Sequence, residues 1–502
     1  MDNSLWIEDT KNIRKDYEKL NSNINTEICV IGGGLTGLTT AYYLSKAGKK
    51  VVSLEKYKIG SHTSGNTTAK ITSQHGLFYK YLVDSLGVEQ AKEYLYANED
   101  AIKNIEKIIN EENIQCDFER QDAYVFTQDI KELEKIEDEV DVVNKLGLKA
   151  EFVEKIEIPK EILGAIKFPN QAQFNPVKYM LGLSHSIEKY GGTIYENTKV
   201  VDVKKQGDEY LTITEDGQEV KSRYVVLASH YPFINAPGFY FMKMYQVTSY
   251  LIAVDTASDL FDGMYINSEN PTKSFRTAEY QGKRLLIVGG MDHKTGAKID
   301  LSNSYKNLEK VAKEMYPNSK VLFRWNTEDC IPLDKIPYIG EFSTLMPNMY
   351  VATGYKKWGM TSSNVAANII SNRILGEENK YEKVFESTRL KPIKNYEELG
   401  NIVKEVSYSL IINKLKKSKD ILEDVKKDEG RIVELEDTKV GVYKDKNGKL
   451  FAIKPVCTHL GCELSWNNLD KTWDCPCHGS RFDYTGKSLY DPSIKDLEKY
   501  EI

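Results

Sequence analysis

Near its C-terminal end the chain reads Cys457-Thr458-His459-Leu460-Gly461-Cys462 and then Cys475-Pro476-Cys477-His478-Gly479-Ser480. Two Cys/His pairs so spaced can converge from two loops on one metal centre, and the surrounding residues must fold to let them. Two thiolates and two imidazoles suit a 2Fe-2S cluster, with sulfur on one iron and nitrogen on the other, or a single zinc ion.

A second motif stands far upstream. Glu27-Ile28-Cys29-Val30-Ile31 is a short apolar run ending in Gly32-Gly33-Gly34-Leu35-Thr36-Gly37, after which Leu38 to Ala47 has helical spacing and Gly48 stops it. In Gly32-x-Gly34-x-x-Gly37 the first glycine permits a tight turn. The second lets a pyrophosphate approach the backbone, and the third lets helix pack on strand. A second strand, Val51 to Leu54, ends on Glu55, eighteen residues past Gly37, where a carboxylate reads a ribose hydroxyl. Lys56 follows it, and Gly65-Asn66-Thr67-Thr68-Ala69-Lys70 adds small residues, hydroxyls and one ammonium in a loop that begins near Ser64. Only one such glycine turn is found, whereas flavin reductases that use NAD(P)H usually need two, so reduction by NADH is disfavoured.

At 502 residues the chain is too long for one compact core. Lys plus Arg total 68 against 74 Asp plus Glu, which gives no broad reason to hold nucleic acid or anionic lipid. No apolar run approaches membrane-spanning length and the first ten residues lack a signal-like apolar stretch, so a cytoplasmic protein without a transmembrane segment is expected. Of seven cysteines four fall in the C-terminal window while Cys29, Cys116 and Cys330 are scattered, the pattern of a metal site rather than of a secreted disulfide framework.

The periodicities predict helices over 78–112, 130–146 and 176–190, and strands near 124–127, 193–195, 199–203, 210–214 and 224–228. Such interleaving suits an α/β Rossmann-like FAD-binding domain with an inserted antiparallel-sheet substrate domain. The expected division is an N-terminal arm over 1–24, an oxidoreductase domain over 25–376, a helical connector over 377–428 and a small all-β domain over 429–502. The inserted subdomain is expected from 78–175 and 232–325. In the connector Leu399, Ile402, Val403, Val406, Leu410, Ile411 and Leu415 have amphipathic spacing, and Lys414, Lys416, Lys417 and Lys419 read as its solvated end.

Across 25–376 the chain resembles the D-amino-acid oxidase/glycine oxidase superfamily. The likeness rests on Cys29 to Gly37 with Glu55, on Asn175-Pro176, Val225 to His230, Asp334 to Gly340 and Tyr350 to Gly354. It implies non-covalent FAD, because Thr327 rather than a cysteine stands seven residues before Asp334. It implies cofactor contacts from Gly32, Gly34, Leu35, Thr36, Gly37, Glu55, Lys56, Ser64, Thr67, Thr68, Ala69 and Lys70, and from Val200 and Ala228. Gly354, Gly359, Met360 and Thr361 join them, since the segment from Lys356 passes beside the isoalloxazine in that family. Oxidation of a C–N bond of an amine or amino-acid-like substrate is the implied activity. Tyr250, Arg276 and His293 lie in the predicted insert and are the candidate catalytic residues.

The C-terminal 430–502 resembles Rieske domains. The resemblance implies Cys457 and Cys475 on one iron, His459 and His478 on the other, and a disulfide between Cys462 and Cys477, for which a zinc site has no use. Ser480 is placed to donate to a cluster sulfur, while Phe482 stands where high-potential relatives carry tyrosine, so a mid-range potential is expected. The order of modules resembles bacterial FAD-dependent oxidoreductases with a C-terminal Rieske domain. Because one chain holds both sites and keeps the carrier at high effective concentration, electron transfer from flavin to cluster and on to an external acceptor, a protein or a quinone-like molecule, is the expected function. Two other readings stay open: an oxygen-dependent amine oxidase with an auxiliary cluster, and a redox-sensing or relay protein without an organic substrate.

Overall fold

The computed structural model of the chain describes residues 4–389 and 420–501. Ile28–Ile31 forms a strand buried at every position, as a central parallel strand must be when helices cover both faces. It lies inside a six-stranded sheet in the order Tyr338–Glu341, Met349–Thr353, Tyr224–Leu227, Ile28–Ile31, Val51–Leu54, Thr193–Tyr195. All neighbours run parallel except the first pair. Leu35–Lys46 follows the glycine turn as a helix and packs against both Gly359–Leu375 and Pro176–Lys189. Asn175 caps the last of these, its side-chain oxygen accepting from Val177 N and Lys178 N at 3.1 Å, with Pro176 pre-set for the first turn.

A nine-stranded mixed sheet stands beside this unit, built around the long strands Met244–Asp255, Lys283–Lys294 and Lys320–Pro332. It is antiparallel except where Met264–Asn267 runs beside Glu119–Thr127. The predicted helix over 78–112 is two helices, Tyr79–Leu86 and Val88–Glu111, broken at Gly87 with φ +86°. The second lies against Gly359–Leu375, so this stretch covers the nucleotide-binding half rather than the sheet. Near the N-terminus, Leu5–Thr10 is a helix whose Trp6 is 1% exposed and donates from Nε1 to Thr67 O at 2.8 Å.

The C-terminal residues form two antiparallel sheets, Glu429–Leu435, Thr438–Lys444 and Leu450–Ile453 in one, and Ser465–Asn467, Thr472–Asp474, Arg481–Asp483 and Ser488–Tyr490 in the other. The connector's amphipathic stretch, Leu399 to Leu415, and its lysines lie outside the described residues. Among the described residues no helix is long and apolar enough to cross a membrane.

Candidate functional site

The glycine turn is closed to side chains. Gly32 has φ +117° and a Cβ there would meet Ala228 O at 2.4 Å, while a Cβ on Gly37 would meet Gly32 O at 1.9 Å. The Leu35 N–H at the start of the helix donates to Ser64 Oγ at 3.2 Å. Glu55 accepts the Gly33 N–H at 2.6 Å and the Tyr57 N–H at 2.8 Å. Burial pushes its carboxyl above the ordinary range, and these two donors pull it back.

The turn opens into a cavity lined by Gly32, Gly34, Leu35, Thr36, Glu55 and Lys56 at one end. Ser64, Thr67, Thr68 and Lys70 line it from the following loop, and Val200, Ala228, Gly354, Gly359 and Met360 from the rest of the fold. Three predicted residues stand behind the wall. Gly37 is the helix–strand contact just described, and Ala69, at φ +56°, turns the loop. Thr361 donates to Thr72 O at 3.2 Å. The buried Lys70 ammonium donates to Tyr265 O at 2.8 Å, and burial beside Arg276 lowers its pKa to about 7.

Tyr250, Arg276 and His293 do not line this cavity. Arg276 is 2% exposed and spends its guanidinium on backbone carbonyls, Thr68 O at 3.0 Å and Ala69 O at 2.7 Å among them, so it clamps the cofactor loop from behind. Tyr250 stacks on His293 with ring centres 5.8 Å apart and donates to Asp470 Oδ2 at 3.3 Å, facing the C-terminal domain. The alternation of a strand fixes which residues share a face, and here that face is covered by another domain.

The charged groups that do face the cavity from the sheet end are Asp292, Asp329 and Lys357. Lys357 Nζ lies 3.0 Å from Asp292 Oδ2. Burial raises the Asp329 carboxyl to about 6, with Lys357 drawing it down and Asp292 pushing it up. Asp329 precedes Cys330, and Lys357 lies in the segment expected beside the flavin, so proximity to those motifs was the available signal.

The two Cys/His boxes fold as matching loops. In the first, Cys457 N donates to Cys462 O at 2.8 Å and Gly461 N to Cys457 O at 2.9 Å. In the second, Cys475 N donates to Ser480 O at 2.8 Å and Gly479 N to Cys475 O at 2.9 Å. Both glycines have positive φ, +81° and +80°, which explains why each box carries one at the same offset. Cys462 and Cys477 form a disulfide between the loops. The Cys457 and Cys475 thiols are buried within hydrogen-bonding reach of each other. The two imidazoles meet edge to face with centres 5.0 Å apart, and the Nδ1 atoms of both are buried without a partner. Burial lowers His459 to about 4 and His478 to about 3, so both rings are neutral, the form that ligates iron. Two thiols and two orphaned ring nitrogens on facing loops fit a mixed-ligand 2Fe-2S cluster.

These loops sit on the oxidoreductase half. Asn235 Oδ1 lies 2.7 Å from His459 Nε2, and the Phe241 ring packs edge-on to both histidines, at 5.8 and 5.6 Å. Gln246 Nε2 donates to His478 O at 3.1 Å and to Asp491 O at 2.8 Å. Below them Arg481, fully buried, pairs with Asp470 at 2.6 Å, with Asp474 at 3.0 Å and with Glu328 of the oxidoreductase half.

A nucleotide-binding sheet with a long-stranded sheet across its cavity, joined to paired Cys/His loops, defines a flavoprotein oxidoreductase carrying an iron-sulfur domain. The chain belongs to the FAD dependent oxidoreductase family, whose model matches residues 27–373, and the Rieske [2Fe-2S] domain model matches residues 419–501. It is thus an oxidoreductase that binds FAD and a 2Fe-2S cluster. It is 36% identical over 486 residues to YhfW of Bacillus subtilis, named as a Rieske 2Fe-2S iron-sulfur protein, covering 97% of this chain and 95% of that one. Gamma-glutamylputrescine oxidoreductase of Escherichia coli is 24% identical over 73% of this chain and 87% of its own length. The solved glycine oxidase of Geobacillus kaustophilus superposes with a TM-score of 0.63 at 18% identity, over 73% of this chain and all of that one, a likeness of fold.

Proposed function

We propose that the protein oxidises an amine at its C–N bond and passes the electrons through its own Rieske domain to an acceptor outside the chain. When bound, FAD supplies the hydride acceptor and the cluster a one-electron acceptor. Cys457 and Cys475 are assigned to one iron and His459 and His478 to the other, with Phe241 and Asn235 shielding the imidazoles from water. The observation that carries this reading is Gln246: it holds the His478 carbonyl, and its partner in the neighbouring strand, Cys330, lines the flavin cavity. Ligand loop and cavity wall therefore stand one strand pair apart, a separation suited to transfer within the molecule rather than by diffusion.

Asp292 and Asp329 support an amine as substrate, because a protonated amine between them takes the place that Lys357 now fills. Asp329, once ionised, accepts the ammonium proton, leaving the nitrogen lone pair free to form the imine as the hydride departs from carbon. The activity in the name of the Escherichia coli relative, on gamma-glutamylputrescine, points the same way. The test is an anaerobic screen of amines and amino acids that follows flavin absorbance together with the electron paramagnetic resonance of the reduced cluster. An amine that bleaches the flavin and raises the cluster signal in the same mixing experiment is the expected result. Bleaching with a silent cluster, or no bleaching by any compound, would refute the proposal.

A further inference from the structure

The segment after the second ligand box touches both prosthetic-group sites. Leu489, Tyr490, Asp491 and Ile494 line the same cavity as Gly32 and Glu55. They are fastened there from the oxidoreductase side: Tyr57 OH donates to Ser488 O at 3.1 Å, Lys56 Nζ to Leu489 O at 3.4 Å, and the His62 ring packs edge-on against Tyr490 at 4.8 Å. Lys56 Nζ also lies 3.6 Å from the Asp491 carboxylate.

The same segment is tied to both cluster loops. Ser493 N donates to Ser480 Oγ in the second box at 3.0 Å, and the Ser493 hydroxyl hydrogen-bonds the Thr458 hydroxyl in the first. Asp491 O and His478 O share the Gln246 amide nitrogen. Ser488 Oγ donates to Ser493 O at 2.7 Å, which makes the stretch one braced turn.

We propose that FAD binding and cluster occupancy are thermodynamically linked through residues 489–494. The cluster satisfies the buried Nδ1 atoms of His459 and His478 and so fixes the two loops. The loops fix Ser493, and Ser493 fixes the wall at Tyr490 and Asp491. Without iron the loops bury orphaned ring nitrogens, relax to satisfy them and release the wall. Linkage is reciprocal, so FAD in its cavity strengthens the hold on iron by the same factor.

The test uses the full-length protein with both groups, before and after iron is stripped with a chelator, and reads the FAD dissociation constant by equilibrium dialysis. Stripping is expected to raise that constant at least about tenfold, and Ser493→Ala, which cuts the hydroxyl bond to Thr458 and keeps the N–H bond to Ser480, to shrink that factor by about threefold or more with its Rieske resonance intact. If Ser493→Ala takes up no iron, its constant should equal that of stripped wild type. A wild-type constant within about twofold before and after stripping overturns the proposal, as does an undiminished factor in Ser493→Ala. So does an iron-free Ser493→Ala that binds FAD as tightly as loaded wild type.

Discussion

Gln246 donates to the His478 carbonyl at 3.1 Å, so a residue of the oxidoreductase sheet holds the backbone of a cluster ligand. The approach is close: a Cβ on Gly479 would lie 2.4 Å from Gln246 Cβ, and only glycine lets the two strands of chain meet. Gln246→Leu keeps the volume and removes two hydrogen bonds, one buried and one half-buried, a loss of about 1–3 kcal/mol. Stopped-flow mixing should show wild-type bleaching of the flavin and cluster reduction slowed about tenfold. Equal slowing of both steps would remove Gln246 from the route between them.

The buried pair of Arg481 and Glu328 gives the docked arrangement a pH dependence. Arg481, Asp470 and Tyr490 all face Glu328, and burial raises its carboxyl to about 7 despite the guanidinium. The folded protein thus binds this proton more tightly than the unfolded chain. Its contribution to stability is full below about 4.5 and fades as the pH rises through about 7. Glu328→Gln should flatten the dependence of the thermal midpoint on pH across that interval. A slope unaltered by the substitution assigns the titration to another group.

The glycine turn, the acid after the second strand and the two metal-ligand boxes were legible because each constraint is local: spacing along the chain sets the geometry. Where Tyr250, Arg276 and His293 point was not legible, because long-range packing decides it. Arg276 sits in a strand buried on both faces from Phe275 to Ala278, and what covers it is the Thr68–Ala69 loop, two hundred residues away in sequence. Tyr250 is covered by Asp470 of the other domain. The same limit hid the cavity wall at Tyr490 and Asp491, since nothing in the two ligand boxes signals that the segment after the second borders a flavin site.

Phe482 is fully buried among Cys457, Cys475 and Trp473 and brings no hydroxyl to the cluster. Ser480 retains its hydroxyl beside Cys457. Phe482→Tyr adds one donor, which at about 1 kcal/mol in favour of the reduced form raises the midpoint potential by roughly 40 mV. Redox titration followed by the Rieske resonance reads the shift. A wild-type potential near the top of the range for such clusters, about +300 mV, would contradict the mid-range expectation.

Asp329 must be ionised to hold an ammonium, and its raised pKa of about 6 sets where that happens. KM for the amine should therefore fall as the pH climbs through about 6, levelling above it, while the substrate remains protonated throughout. Asp329→Asn removes the charge and keeps the shape, so KM should rise about tenfold or more and lose its dependence on pH in this interval. The variant should retain its bound FAD, because Asn keeps the shape of the side chain beside Lys357 and Asp292 and leaves the glycine turn unaltered. Retention of the wild-type pH profile in Asp329→Asn would exclude this carboxylate as the amine's partner and leave Asp292 to be tested in its place.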